Sequence, residues 1–509
     1  MSRILALQGY GLLREISFIK IFTIFRKRFV SVMETRLLRM YYRGFYYLFL
    51  FLTITGYAHS QTVAPDSSGT VVVGEVKVEG NHKTRTSIIL REIEVRTGDR
   101  LSTETLKEKL EIDRRKVVNT NLFITVEMLT QANPDSVHTD IRVVVKERWY
   151  LIALPVFQLA DRNFNEWWYE RKRDLSRTTY GAYLSYGNLT GRADKLRFLA
   201  EFGFIPKFEI AYTLPYLDKA QKTGITIGAS YSINKTTAFR TWRDKLQYLS
   251  SEDINRQRFY SYVSLTRRNK YYTFHSLDLR WSQTRISDTI AILNPNYILD
   301  GRKRQHFLQL TYTFSYDKRD NVQYALQGQT FGLQASKIGL LPSDNINTLY
   351  FYGSYRKYVP LGGKFFFNTG LRGRLSFPKR QPYLQTIGLG YRNDLVRGYE
   401  LYVVDGQDYA LIKNEVKYRL FAIQKQLSFI PIRQFNTVPL AAYLNTFADA
   451  GYVKNSYPEL SNTRLGNKML YGAGAGLDLV TFYNIVMRFN VTLNAQAEKR
   501  FFFNISREF

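Results

Sequence analysis

Chemistry in this chain of 509 residues would have to come from few side chains. It has five histidines, His59, His82, His138, His275 and His306. His275 sits well inside an alternating apolar–polar segment, where with a nearby serine it would suit lipid-ester hydrolysis. No Gly-x-Ser-x-Gly, Walker A loop or His-Glu-x-x-His stretch accompanies it, and a lone histidine is more often structural. The chain has no cysteine, which excludes thiolate catalysis, thiolate metal sites, disulfides and a lipoprotein anchor. No metal and no cofactor are expected. A different chemistry is written in "DLVRGYE", Asp394–Glu400. An arginine is costly to bury without a partner, and glycine suits a turn or a close backbone approach. Either the segment is a solvated loop, or Arg397 is tucked inside something.

What surrounds that loop decides between these. Aromatics make up 15% of the chain, with 38 Tyr and 35 Phe, all good strand formers. Mean hydropathy is −0.28, and no apolar run long enough for a transmembrane helix occurs after residue 60. A soluble all-β protein fits this composition, as does a membrane β-barrel that hides its apolar surface in every second residue. Residues 1–60 read as a secretory signal peptide. Arg36, Arg39 and Arg43 precede the apolar stretch Phe45–Ser60, and Ala58-His59-Ser60 forms a small-x-small cleavage site before Gln61. The stretch before Met33 is overlong, so translation is expected to start at Met33 or Met40. The formal net charge is +29, and the 9 basic and 2 acidic residues of the first 60 leave about +22. For a secreted chain, outer-membrane lipid and the anionic outer-leaflet glycolipid are the expected partners of that charge, and nucleic acid is not.

After a linker (61–70), residues 71–148 read as a small α+β domain ordered strand, helix, helix, strand, strand. "VVVGEVKVEG" alternates and stops at Gly80-Asn81. Thr84–Val95 fits a short amphipathic helix, and Ser102 caps a longer one. "NLFITVEML" and "HTDIRVVVKE" form a hairpin around Asn133-Pro134-Asp135. Residues 149–509 alternate with period two in sixteen segments, the first over 150–159 and the last over 500–509. Met487–Glu498 shows the pattern: Met487, Phe489, Val491, Leu493, Ala495 and Ala497 face one way, and polar residues face the other. Mostly short turns alternate with mostly long loops, as when one rim of a barrel carries turns and the other loops. The fold class is therefore an all-β transmembrane β-barrel of 16 antiparallel strands with one small N-terminal periplasmic α+β domain.

Several local motifs make the resemblance specific. "VEGN" and "NTNLFITVEM" resemble a POTRA domain. "NLTGRADKL" (Asn188–Leu196), "DKRDN" with Asp317, Arg319, Asp320 and Asn321, "LVRGYE" with Val396, Arg397, Gly398 and Tyr399, and "FADAG" with Phe447, Asp449 and Gly451 fall in order along the strands. Together they resemble the BamA/TamA superfamily of outer-membrane assembly and translocation proteins. That resemblance implies that the loop 377–409 folds back into the lumen and that Arg397 pairs with Asp449. Phase agrees, because Asn445, Phe447, Asp449 and Gly451 share one face. Gly398 would allow the close approach. The terminal Phe509 resembles the carboxy-terminal assembly signal of such barrels. There is room for one POTRA-like domain where BamA has several, which leaves client and accessory partners open.

The reading that follows is an outer-membrane insertase or translocase of a Gram-negative bacterium. Unfolded polypeptide clients would be its substrates, with periplasmic or lipoprotein accessory partners also possible. Clients are expected to add to the edge strand Asn121–Thr130, with Thr125 and Glu127 on its outer face and Ile124 and Val126 in the core. The barrel seam joins the first strand, which holds Pro155, to the last, with Phe503, Ile505 and Phe509, and is expected to be the weak line of the wall. The alternatives are a dedicated translocator of one secreted partner, a passive porin, and an outer-membrane lipid enzyme using His275.

Overall fold

The computed structural model describes residues 70–132, 138–218, 220, 222–322, 324–391, 393–426, 437–460, 463–481 and 485–506. The expected signal peptide, the turn Asn133-Pro134-Asp135 and Phe509 lie outside the described residues. No described helix is long and apolar enough to cross a membrane.

The small domain contains β1 (Thr70–Glu79), α1 (Thr86–Leu90), β2 (Arg100–Ser102), α2 (Thr103–Asn119), β3 (Phe123–Ala132) and β4 (His138–Glu147). Its sheet runs β2-β1-β4-β3, with β1 parallel to β4 and β3 at an edge. Ser102 Oγ accepts the Thr105 N–H at 3.2 Å and so starts α2. Leu106, Leu110 and Val117 of α2 then close over Val73, Ile141 and Val143. Two expectations need correction. The helix expected over Thr84–Val95 is only five residues long, because the buried Asp113 carboxylate accepts the N–H groups of Glu94 and Val95 at 2.7 and 3.1 Å and holds that stretch elsewhere. Ile124, expected in the core, is 52% exposed. The β3–β4 register slips between Phe123 and Thr125, and this bulge drops Ile124 out of the alternation. Phe123 and Val126 take the core side, and Thr125 and Glu127 are exposed.

The other sheet has sixteen antiparallel strands. In chain order the strands are β5 (Leu151–Leu159), β6 (Thr178–Gly187), β7 (Lys195–Gly203), β8 (Lys207–Leu214), β9 (Thr223–Asn234), β12 (Arg256–Lys270), β13 (Thr273–Ile286), β14 (Arg304–Arg319), β15 (Gly328–Ile338), β16 (Thr348–Gly362), β17 (Phe365–Phe377), β20 (Asp408–Gln426), β21 (Thr437–Lys454), β22 (Met469–Val480), β23 (Val486–Asn494) and β24 (Lys499–Ser506). The hairpins β10 (Thr236–Trp242) with β11 (Lys245–Ser250), and β18 (Ile387–Leu389) with β19 (Val404–Asp405), stand apart from it inside two long loops. The period-two reading holds residue by residue on β23: Val491 and Leu493 are exposed, while Asn490, Thr492 and Asn494 are buried. The strand ends at Asn494, however, and Ala495 and Ala497 belong to the turn into β24. Ala497 has a φ of +61°, which a strand residue does not adopt.

The small domain is bound to the rim where β5 begins. Asn188, fully buried, donates from Nδ2 to Thr84 Oγ1 at 2.8 Å and accepts the Ala193 N–H at 3.0 Å. The Arg85 N–H reaches the Gly191 carbonyl at 2.9 Å. Gly191 has a φ of +79°, and a Cβ there would meet the Lys83 carbonyl oxygen at 2.2 Å. Glu147 accepts the Thr84 N–H at 2.6 Å and the Lys83 N–H at 3.0 Å. Burial pushes the Glu147 carboxyl up, but these hydrogen bonds outweigh it and hold the group below its ordinary range. The motif Asn188–Leu196 therefore carries the docking contact.

Candidate functional site

The loop 378–407 between β17 and β20, expected from the resemblance to enter the lumen, is held by residues from four strands. Arg397 donates from Nε and Nη2 to the two oxygens of Asp449 at 2.8 and 2.7 Å, and its backbone N–H reaches the same carboxylate at 3.1 Å. This two-pronged geometry requires a planar guanidinium. The Asp449 side chain is fully buried. The guanidinium lies 3.8 Å over the Phe447 ring and 3.6 Å from Glu415 of β20. From Glu415 the charges continue through Lys417 to Asp478 of β22, each step 3.8 Å. Asp478 in turn accepts the Tyr324 hydroxyl at 2.9 Å.

Tyr324 comes from the turn expected around Asp317, Arg319, Asp320 and Asn321. There Arg319 forks onto Asp317 at 2.9 and 2.6 Å. Asp320 accepts the Asn321 and Leu326 N–H groups at 2.8 and 3.1 Å, and Asn321 accepts the Tyr324 N–H at 3.2 Å. The turn thereby presents Tyr324 to the charges beneath the lumen loop.

Val396 and Tyr399 are buried in one apolar cluster with Leu389, Tyr402 and Tyr409. Gly398 has a φ of +99°, and its carbonyl accepts Asn494 Nδ2 at 3.0 Å. A Cβ on Gly398 would meet the Asn494 Cβ at 3.2 Å, and two other glycines come closer still to the loop. A Cβ on Gly451 would stand 2.6 Å from the Val396 side chain, and one on Gly472 would stand 1.8 Å from the Arg397 carbonyl oxygen. Gly472 carried no signal in the sequence, because a glycine in a strand is ambiguous without its partner.

The seam is the second part of the site. Among the described residues no ladder pairs β5 with β24, so each has one edge without a partner strand. Pro155 lies fifth of nine in β5, opposite Ala182 of β6, in the kind of strand where proline is tolerated. Phe503 and Ile505 lie in β24, and Ile505 is exposed. The first loop of the far rim, 160–177, runs along that edge. The Phe503 N–H donates to Asn165 Oδ1 at 3.0 Å, and Tyr169 donates its hydroxyl to the Phe501 carbonyl at 3.0 Å. The sequence marks 160–177 as one of the long loops, but its contact with β24 was not foreseen. Its one signal was a break in the alternation at Trp167-Trp168.

His275 meets the Tyr312 hydroxyl at 2.8 Å and the Asn269 amide at 3.0 Å, so its two ring nitrogens face an aromatic hydroxyl and an amide where the hydrolase reading needs a serine.

Residues 188–509 match the model of the Omp85 superfamily domain. The chain belongs to the Omp85 superfamily. Residues 71–148 of this Omp85 protein match the POTRA model, described as a surface antigen variable number repeat. Among solved structures it is similar to BamA from Haemophilus ducreyi lacking POTRA domains 1–3, with 16% identity, a TM-score of 0.55, and 87% of this chain and 86% of that one covered. It is also similar to CdiB from Escherichia coli, with 13% identity, a TM-score of 0.52, and 86% and 74% covered. At these identities the likeness shows the shared fold. No curated protein matches the sequence. At the level of its superfamily, this Omp85 chain is an outer-membrane β-barrel protein of the insertase and translocase kind.

Proposed function

We propose that the chain captures unfolded polypeptides on the open edge of β3 and passes them to the seam, where unpaired strand edges template their insertion into the outer membrane. What supports this reading is a loop packed on the buried face of β20 to β23 together with a seam at which β5 and β24 do not pair. A loop in the lumen would oppose the open aqueous path a porin needs, while β5 and β24 each lie at an end of the sheet with no partner strand among the described residues. Strand exchange there would trade hydrogen bonds for hydrogen bonds and avoid exposing bare backbone to lipid. In this reading the small domain faces the periplasm. The excess positive charge fits the anionic glycolipid. Arg285 and Arg304 stand directly opposite each other, both exposed, on the same face as Trp281. A lipid phosphate between them would relieve that repulsion.

Since the chain has no cysteine, any disulfide across the seam would come only from introduced pairs. Paired cysteines, one placed across Leu151–Val156 and one across Phe503–Ser506, should abolish insertion of a newly synthesised barrel into liposomes when oxidised, and reductant should restore it. Full activity from a quantitatively locked seam would rule out lateral insertion and favour passage through the lumen. Comparing outer-membrane and secreted proteins after depletion separates a general insertase from a dedicated translocator: the first loses many barrels, the second loses one secreted partner.

Client capture makes a separate demand. Edge addition uses backbone groups, so Thr125→Ala and Glu127→Ala should change binding of an unfolded client little. Thr125→Pro or Glu127→Pro should weaken it about tenfold or more. Titrating the full chain with a fluorescent client measures this. Undiminished binding by folded proline variants would place the docking site elsewhere.

A further inference from the structure

The far-rim loop after β5 does more than close a connection. Its sequence, Arg162-Asn163-Phe164-Asn165-Glu166-Trp167-Trp168-Tyr169-Glu170, carries one single-turn π-helix over Glu166–Glu170, closed by the Arg171 N–H to the Glu166 carbonyl at 3.1 Å. π-Turns are rare and concentrate at functional positions. This one is held in place from all sides. The buried Glu166 carboxylate accepts from Arg162 and Arg171, both at 2.7 Å. Arg177 forks onto the buried Asp161 at the base of the loop. Lys245 of β11 binds Glu170 at 2.8 Å.

So fixed, the loop presents side chains to the backbone of β24 as a neighbouring strand would present its own backbone. Phe501 and Phe503 are two residues apart, so in an antiparallel sheet their backbone groups point to the same edge. That edge faces away from β23. Asn165, 2% exposed, accepts the Phe503 N–H with its Oδ1, and its Nδ2 donates to Asn504 Oδ1 at 3.2 Å. Tyr169 donates its hydroxyl to the Phe501 carbonyl two residues back along β24. Phe164 packs edge-on against Phe503 at 5.3 Å, and Tyr169 against Phe502 at 6.4 Å. Two residues before Asn165, Asn163 performs the same task on the lumen loop. Its Nδ2 donates to the Glu400 carbonyl at 2.8 Å, while Arg162 donates to the carbonyls of Gly390 and Tyr402.

We propose that Phe164–Tyr169 is a built-in cap that occupies the open edge of β24, that an incoming client strand must displace it, and that Arg162 and Asn163 tie its release to movement of the lumen loop. The proposal rests on the seam reading above and names what regulates that site. Asn165 and Tyr169 are positioning residues that hold the edge closed until a strand replaces them. They also meet the general need of an exposed sheet edge for protection against indiscriminate pairing.

The test uses the full chain in detergent micelles and a synthetic ten-residue peptide with the chain's own last-strand sequence, Arg500–Phe509, as probe. In the Asn165→Ala/Tyr169→Phe double variant three hydrogen bonds to β24 are lost. Amide exchange across Phe501–Ser506 should therefore rise about tenfold or more, and the peptide should bind at the seam about tenfold more tightly, since it no longer competes with the cap. Tyr169→Phe alone keeps the ring on Phe502 and should move both readouts the same way by a smaller factor, which guards against misfolding of the double variant. Unchanged exchange at β24, or faster exchange without tighter peptide binding, would overturn the cap. Neither readout measures insertion, so the oxidised-cysteine experiment still decides independently whether the seam is the site.

Discussion

Replacing Arg397 by alanine will release the lumen loop while leaving the barrel assembled. The change takes both hydrogen-bonded prongs from the fully buried Asp449 carboxylate, leaving it only the Lys413 ammonium at 3.9 Å, and removes the guanidinium 3.6 Å from Glu415. Removing one partner of a buried, hydrogen-bonded pair costs about 3–5 kcal/mol. The loop bears that loss, because the sixteen strands are held by ladders to which Arg397 contributes nothing. The variant should still migrate as a folded barrel on unheated gels. Its loop between Pro378 and Tyr409 should become cleavable by added protease, and its insertion activity should fall. Arg397→Lys should do almost as badly, since an ammonium cannot fork onto both oxygens of Asp449. Protease resistance together with full activity in the alanine variant would refute the role assigned to the pair.

Gly472→Val should reach the same end state by a different route. Gly472 has ordinary strand geometry, and valine is a good strand residue, so β22 itself has no reason to object. What a side chain meets is the seated loop: the Arg397 carbonyl oxygen at 1.8 Å, its carbonyl carbon at 3.0 Å and a Val396 methyl at 3.2 Å. Two of these are backbone atoms that cannot rotate aside. Overpacking of this kind costs about 1–3 kcal/mol, and more where the neighbour is rigid. The protease assay should show an exposed loop with Arg397 and Asp449 both intact in sequence. Because both substitutions act on one seated state, the Gly472→Val/Arg397→Ala double variant should be little worse than the more damaging single one. Additive effects would mean that the two residues support different things.

The strands were readable in the sequence because each lies between two different surroundings, and the alternation reports both. The lumen pair Arg397–Asp449 was readable only through the resemblance, supported by the phase of Asn445, Phe447, Asp449 and Gly451. What escaped has partners remote in sequence. Asn165 finds Phe503 across 338 positions, and nothing near Asn165 announces the edge it will meet. Gly472 is dictated by a loop that passes over it 75 positions earlier in the chain. Ile124 was misplaced for the opposite reason: a bulge shifts the phase by one residue, and period-two reasoning carries no warning of it.

Strand length carries a final consequence, for the bilayer. Near the seam β5, β7, β8 and β23 have nine, nine, eight and nine residues, whereas β13 and β14, farthest from it in the sheet order, have 14 and 16. At about 3.3 Å per residue and a tilt near 45°, eight or nine residues cover roughly 20 Å of membrane depth. A typical hydrocarbon core is about 30 Å thick. Lipid against the seam must therefore compress while lipid on the far side stays relaxed, at a cost of fractions of a kcal/mol per Å. The protein thereby sets a standing gradient of bilayer thickness along its sheet, thinnest beside the seam.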